Sequence, residues 1–190
     1  MISPSNTAST DVLPDVLQPN LALVFCGTAA SARSASEHAY YAHPGNQFWR
    51  ALHLAGFTPR QLAPAEFAQL ITVGIGFTDL AKHHSGNDSA LPNDAFDVLA
   101  LNRKIETYTP RILAFTSKSA ARAALGHAVS YGRQQEAIGT TQLFVLPSPS
   151  GQARGHWSIE PWQALAALWR GVRADTDQRR VNRSACDGTR

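Results

Sequence analysis

The chain has 190 residues, of which 44% are hydrophobic and 16% are charged, and its formal net charge is +3. These values are typical of an ordinary soluble globular protein of one domain, and no apolar run approaches the roughly 20 residues that span a bilayer. The pI near 9.1 permits nucleic-acid binding without requiring it. Cys26 lies in an apolar run and Cys186 in a polar segment, so no disulfide is expected and a cytoplasmic protein is indicated.

Apolar periodicity and turn residues predict strands that alternate with helices. The N-terminal segment is rich in Ser, Thr, Asn and Pro and lacks the features of a secretory signal, so it is expected to be a flexible lead. In chain order we predict a flexible lead over 1–17, a strand over 21–27, helices over 46–57 and 64–74, a glycine-punctuated and mostly loop segment over 74–94, a helix over 96–110, a strand over 111–118, a helix that begins over 119–125, a strand that runs into a Pro/Ser/Gly loop over 141–151, a helix over 158–172 and a disordered polar tail over 173–190. Asn46 and Ser119 are the expected N-caps of their helices.

Strands that alternate with helices predict an α/β fold, a three-layer sandwich in which helices flank a central, mostly parallel sheet. The single domain is expected to span residues 18–172. Sheets of this kind bind ligands at the carboxyl ends of their strands. Three segments follow the predicted strands at that edge: GTAAS at 27–31, TSK at 116–118 and PSPSGQAR at 147–154. The sequence therefore predicts a ligand site there, although this pattern alone names no chemistry.

Two stretches contain residues suited to contact a ligand. GTAAS lacks the spacing of a dinucleotide or P-loop motif, but its small side chains leave backbone N–H groups accessible to a carbonyl or anionic group. A tight strand-to-helix turn packed beneath a helix would explain the same residues. Tyr40 and Tyr41 lie in a predicted loop, where an aromatic ring is free either to stack on a ligand or to pack in the ordinary way.

Taken together, VFCG at 24–27, the small-residue turn and AHPGNQFW at 42–49 resemble the mismatch-specific uracil-DNA glycosylases, the bacterial relatives of thymine-DNA glycosylase. The resemblance runs from about residue 13 through the last predicted helix, and includes GFTDLAK at 76–82 and VLPSPSGQAR at 145–154. It implies a uracil-DNA glycosylase fold and an enzyme that flips a mismatched base from the duplex and cuts its N-glycosidic bond. It calls for double-stranded DNA as the partner, for no metal or organic cofactor and for a monomer.

The resemblance also assigns roles to individual residues. Tyr41 would stack on the flipped base, Asn46 would help to hold the site together, and the pocket would be lined by Gly27, Thr28 and Ala29. The loop SPSGQAR would enter the minor groove, with Gly151, Gln152 and Ala153 at its tip and Arg154 on a phosphate or on the orphaned base. The expected DNA-binding residues are therefore Ser148, Ser150, Gly151, Gln152, Ala153 and Arg154.

The small-residue turn GTAAS at 27–31 departs from the family at a position that matters for catalysis. Well-known members carry GINPG, whose asparagine positions the attacking water, and Ala29 stands at the place of that asparagine. Because the transition state has oxocarbenium character, a carboxylate can replace it. Asp88 is the first candidate, since its SGND context resembles members with a small-residue first turn. Asp79 is the second and Asp94 the third.

The sequence thus predicts a monofunctional glycosylase for uracil, mainly opposite guanine, acting in the cytoplasm, or at the nucleoid in a bacterium. No lysine is placed as a Schiff-base nucleophile, and Lys118 is expected to contact a phosphate or to face solvent. Ser148 in place of asparagine, and Gln152 in place of an apolar wedge, suggest a broader substrate range. Two other interpretations stay open: a damage-binding relative without activity, and a nucleoside-binding α/β enzyme, against which the wedge loop argues.

Overall fold

The computed structural model describes residues 11–87, 90–92, 94–151 and 157–187, with side chains described as far as Asp175. Within these residues the strands are β1 (Leu23–Ala30), β2 (Ile75–Ser85), β3 (Ile112–Phe115), β4 (Gly132–Ile138) and β5 (Thr141–Val145). The α helices are α1 (Ala32–Glu37), α2 (Phe48–Ala55), α3 (Val98–Tyr108), α4 (Lys118–Leu125) and α5 (Glu160–Asp187), and a 3₁₀ helix covers Pro64–Val73. None of the described helices is both long enough and apolar enough to cross a membrane.

The described strands form one sheet in the order β2-β1-β3-β5-β4. β1 is parallel to both β2 and β3, and β3 is parallel to β5, whereas β4 is antiparallel to β5. Alternate residues of β1 enter two different hydrophobic clusters, as the period of two requires. One cluster packs against α2 and α5, and the other against α3 and α4. The prediction of a mostly parallel sheet between helical layers is confirmed.

The segment 74–94, predicted to be mostly loop, instead supplies the eleven-residue strand β2. Its first eight residues are buried, because both faces of the strand are covered. Gly76 is not a strand breaker here. A Cβ at this position would lie 2.3 Å from the backbone oxygen of Val16, so only glycine lets the N-terminal segment approach this closely. β4 was not predicted either.

Residues 11–17, expected to belong to a flexible lead, pack along the outer edge of β2, and we refer to them as the N-terminal strap. Val16 and Phe77 exchange backbone hydrogen bonds of 2.9 and 3.0 Å in an antiparallel bridge. The Val12 N–H donates to the backbone oxygen of Lys82 at 2.7 Å. Leu13 is only 1% exposed. The strap therefore protects the edge of the sheet that β2 would otherwise expose.

Several predicted boundaries also change. β1 continues through Ala30, so GTAA belongs to the strand rather than to a turn, and Ser31 caps α1. Ser117, not Ser119, caps α4 by accepting a hydrogen bond from the Ala120 N–H at 2.9 Å. α5 extends to Asp187, so most of the segment expected to be a disordered tail is helical. No glycine or proline interrupts the chain between Gly171 and Gly188, which is consistent with a continuous helix there.

Candidate active site

A cavity of about 430 Å³ opens where the carboxyl ends of β1, β3 and β5 meet. Its walls combine the end of β1 and the next residue (27–31), three residues that follow β3 (116, 117 and 119) and the residues that follow β5 (148–150). The three segments that the sequence placed at this edge therefore do converge on one site. Its volume is suited to a small ligand such as one nucleobase.

All five residues predicted to form the base pocket line this cavity: Gly27, Thr28, Ala29, Tyr41 and Asn46. Of the residues predicted to bind DNA, Ser148 and Ser150 line the cavity. Gly151 follows Ser150 in the chain, and a Cβ added at Gly151 would lie 3.0 Å from the Gly45 oxygen. Gln152, Ala153 and Arg154 lie outside the described residues, as does Asp88. The structure thus brings the base-pocket candidates together with Ser148 and Ser150 around this cavity.

The small residues at 27–31 form one wall of the cavity because β1 extends beyond the end of the neighbouring strand β3. β3 pairs with β1 only as far as Phe115 and Cys26, whereas β1 continues to Ala30. Beyond Cys26 this side of β1 is no longer flanked by β3, and it faces the cavity. Larger side chains at positions 27–31 would fill that space. The geometry accounts for the run of Gly, Thr, Ala, Ala and Ser.

Among the described residues that line the cavity, Asp79 is the one with a carboxylate side chain. It lies opposite Gly27 in the parallel register of β1 and β2 and is 5% exposed. The Gly27 N–H donates a hydrogen bond to the Asp79 carboxylate. A Cβ at Gly27 would lie 2.4 Å from the Asp79 Oδ1. Gly27 therefore leaves room for a carboxylate against the floor of the cavity.

Burial raises the pKa of Asp79 from its ordinary value of 3.8 to about 6. The positive charge of Lys82 opposes this rise, the negative charge of Asp15 adds to it, and Lys104 opposes it more weakly. The carboxyl is therefore mainly ionised at neutral pH and takes up a proton near pH 6. It is a hydrogen-bond acceptor above that pH, and it can donate a hydrogen bond below it.

We expect Asp79→Asn to stabilise the protein at pH 8. The pKa of Asp79 is higher in the folded than in the unfolded protein, so ionisation of this carboxyl lowers the free energy of unfolding. This destabilisation is fully present above pH 6 and absent below pH 3.8. The rise corresponds to about 3 kcal/mol of unfolding free energy at most. Denaturant unfolding at pH 8 and pH 4 measures it, and the gain of the variant should shrink as the pH falls.

The exposed Asp94 offers a matched control, since Asp94→Asn removes a carboxylate from the surface instead of the cavity. Its unfolding free energy should stay close to that of the wild type at both pH values. If Asp79→Asn is less stable than the wild type at pH 8, the buried carboxylate is stabilising and the electrostatic interpretation is wrong.

Tyr41 presents one aromatic face for a ligand. Its other face stacks on Phe48, with ring centroids 3.8 Å apart and an interplanar angle of 11°. Its hydroxyl donates to the Thr116 Oγ1 at 3.3 Å. Burial, reinforced by the negative charge of Asp79, raises the pKa of Tyr41 well above its ordinary value, so the hydroxyl stays neutral. The ring is thus fixed by two contacts, as a stacking platform requires.

Tyr40 differs from its neighbour, although the sequence placed both in a loop where a ring could stack on a ligand. It is 2% exposed, and its ring stacks on Phe77 with centroids 5.0 Å apart. Its hydroxyl lies 3.3 Å from both the Pro14 backbone oxygen and the Lys82 Nζ. Tyr40 therefore serves mainly to join the core to the N-terminal strap.

Asn46 precedes α2 instead of lying within the helix. Its Oδ1 accepts a hydrogen bond of 2.9 Å from the Phe48 N–H, so it still satisfies the first turn although Gln47 is the N-cap residue. The Gln47 N–H donates to the Pro149 backbone oxygen at 2.7 Å. The start of α2 is therefore bonded directly to the loop expected to contact DNA.

The three candidate carboxylates differ in position. Asp79 is on the floor, and Asp94 is exposed and does not line the cavity. Gly86 and Asn87, which directly precede Asp88 in the chain, do line it, and the Gly86 N–H donates to the Ala30 oxygen at 2.9 Å. The loop that carries Asp88 therefore starts at the cavity, beside the end of β1.

Sequence reasoning missed several lining residues. Thr116 was included only as part of the TSK segment, yet its Oγ1 accepts from Tyr41 and lies 3.4 Å from the Cys26 oxygen. Leu13 and Ser34 were not considered at all. Position after a buried strand could have singled out Thr116. No local signal identified Leu13, because the segment around it resembles a flexible lead.

Lys118 lies over the ring of Tyr131, 4.2 Å from its centroid.

Comparison with known proteins identifies the family. The model of the family described as the Uracil DNA glycosylase superfamily matches residues 14–170. Among solved structures, the chain is similar to the solution NMR structure of a candidate uracil DNA glycosylase from Methanosarcina acetivorans, with 23% sequence identity and a TM-score of 0.57. That match covers 84% of this chain and 96% of the other. At this identity the structural likeness supports the fold alone.

Proposed function

Because the chain belongs to the uracil DNA glycosylase superfamily, we propose that it removes uracil from duplex DNA by hydrolysis of the N-glycosidic bond. More specifically, we propose a mismatch-specific enzyme of the branch related to thymine-DNA glycosylase, with a preference for uracil opposite guanine, acting as a cytoplasmic monomer. The observation that carries the proposal is the cavity itself. Bare backbone at the end of β1, the free face of Tyr41 and a buried carboxylate all surround a space for one base.

The flipped base would enter between β1 and Tyr41. Its face would stack on the ring of Tyr41, whose position is fixed by Phe48 and Thr116. Its carbonyl groups would meet the backbone at the end of β1. Hydrogen bonds to those carbonyls would stabilise the negative charge that the departing base acquires. The pocket therefore supplies both recognition and leaving-group stabilisation without using the side chain at Ala29.

The second requirement is a carboxylate near the sugar, and we propose Asp88 for this role. The sugar stays attached to the DNA strand, so it remains at the mouth of the cavity while the base goes in. Asp79, 5% exposed and held against Gly27, is placed to meet the base instead. Asp88 follows Gly86 and Asn87 at the cavity lining. An ionised Asp88 would stabilise the oxocarbenium ion and accept a proton from the attacking water.

The described surroundings favour hydrolysis without a covalent intermediate. No lysine is among the described residues that line the cavity. Lys82 is 8% exposed, and its Nζ is 2.8 Å from the Asp15 Oδ1. Its Nζ also donates to the Leu13 oxygen and does not line the cavity, so Lys82 is not placed to attack the sugar. We therefore propose that the product is an abasic site in an intact strand.

Mismatch preference is tested with uracil in three contexts: opposite guanine, opposite adenine and in single-stranded DNA. We expect release opposite guanine to be about tenfold faster than opposite adenine under single-turnover conditions, because a mismatched base costs less to extrude. Strand breaks should appear only after alkali. An identical duplex with a G:C pair at the same place controls for nonspecific cleavage. Equal rates in all three contexts would exclude mismatch specificity, and breaks before alkali would exclude a purely hydrolytic enzyme.

A further inference from the structure

We propose that Leu13, on the N-terminal strap, sets the upper size of the base that the cavity accepts. The inference rests on the proposed function and names a determinant of substrate range that lies outside the three sequence segments of the site. Leu13 lines the cavity together with Tyr41 and Asp79. Its side chain is 1% exposed and belongs to the aromatic cluster beneath the site.

Leu13 differs from most of the other lining residues in size. The wall formed by β1 and α1 consists of glycine, alanine, serine and threonine, and truncating such small side chains would enlarge the cavity very little. Among the described lining residues Leu13 is the one large aliphatic side chain. It reaches the cavity from beyond β2, the side opposite β3. A base that carries an extra group on that side would collide with it.

A size limit requires a wall that does not yield, and the strap is fixed on both sides of Leu13. Lys82 holds it twice: its backbone oxygen accepts from the Val12 N–H at 2.7 Å, and its Nζ donates to the Leu13 oxygen at 2.5 Å. Further along the strap, the paired backbone groups of Val16 and Phe77 provide a second attachment.

A partly buried ion-pair network, in which Lys82 is the buried member, completes the attachment. The Asp15 Oδ1 is 2.8 Å from the Lys82 Nζ and accepts a 2.8 Å hydrogen bond from the Thr78 hydroxyl. The Asp15 Oδ2 is 2.6 Å from the Lys104 Nζ. Because the buried Lys82 charge is costly unless it is paired, its pairing with Asp15 favours one position for the strap. The Leu13 backbone is therefore held in place, and the length of its side chain decides how much space remains.

The test compares Leu13→Ala with Leu17→Ala, a matched truncation on the same strap. Leu17 packs against the cluster on the other face of the sheet and does not line the cavity. Single-turnover base release is measured for uracil, thymine and 3,N4-ethenocytosine, each opposite guanine. We expect Leu13→Ala to raise the rate for at least one larger base, relative to uracil, by about tenfold or more, as expected for a change of a few methylene groups in a pocket. Leu17→Ala should leave the ratios within about twofold of the wild type.

The ratio separates a size limit from a loss of stability, because destabilisation lowers the rates for all bases together. If Leu13→Ala does not fold, Leu13→Val provides the smaller truncation and should shift the same ratio in the same direction. Unchanged ratios in a folded variant overturn the proposal. Wild-type protein that releases no base contradicts the proposed function instead. In that case, ligand-observed NMR with free uracil and thymine tests Leu13 directly, and an unchanged preference, or no binding by either protein, overturns it.

Discussion

Replacing Asp88 by asparagine is expected to lower the single-turnover rate of uracil release from a G:U duplex by about 100-fold or more. Ala29 offers no polar side chain that could position the attacking water. A carboxylate near the anomeric carbon stabilises the oxocarbenium ion through its charge, and asparagine keeps the shape but removes that charge. Quenched-flow or manual time courses with enzyme in excess measure the effect on the chemical step.

Two further variants are compared with Asp88→Asn to separate its role from those of the other two candidate carboxylates. Asp94→Asn, on the same loop region but exposed, should change the rate by no more than about threefold. Asp79→Asn tests the floor of the cavity, and it should weaken base recognition more than the chemical step. A larger loss of rate in Asp79→Asn than in Asp88→Asn would move the catalytic role to the buried carboxylate. Equal rates for Asp88→Asn and wild type would remove Asp88 from the mechanism.

Gly27→Ala is expected to reduce base release by about 100-fold, because a misplacement of about 1 Å in an active site can cost this much. The added methyl would lie 2.4 Å from the Asp79 Oδ1 and 3.5 Å from the Tyr41 hydroxyl. Because Asp79 is buried and 2.4 Å is too close for a contact, the cavity floor must rearrange. We also expect a loss of about 1–3 kcal/mol in unfolding free energy, the usual effect of overpacking. Single-turnover kinetics and denaturant unfolding measure the two effects.

Gly171→Ala is the matched control, since an added Cβ in α5 would meet nothing within 4 Å. This variant should keep wild-type activity and gain up to about 1 kcal/mol of stability from the higher helix propensity of alanine. Wild-type activity in Gly27→Ala would mean that the floor of the cavity takes no part in binding the base.

The sequence was sufficient for the α/β class, for three of the five described strands (β1, β3 and β5) and for the edge that carries the site. Buried strands that stop at small residues and alternate with amphipathic helices leave few arrangements other than a parallel sheet. The convergence of the segments that follow β1, β3 and β5 on one cavity was expected from that topology. The places of Tyr41 and Asn46 at the cavity did not follow from the topology; they were implied by the resemblance of AHPGNQFW to a known family.

The rest depended on contacts distant in sequence. β2 contains Gly76 and Asp79, residues typical of loops, yet Gly76 admits the strap and Asp79 lies against Gly27. The partners that favour a strand there are Val16 and β1, and neither is visible in a local window. Leu13 was missed for the same reason: its burial requires Lys82, 69 residues further along the chain.

We propose above all that this cavity receives a uracil from DNA and that the protein cuts its glycosidic bond. The most direct test incubates excess wild-type protein with a 5′-labelled duplex that contains one G:U pair, treats the product with alkali, and identifies the released base by mass. We expect free uracil and a single alkali-dependent break at the uracil position. Tight binding to the G:U duplex with no release of uracil would contradict a glycosylase and would leave a damage-binding protein.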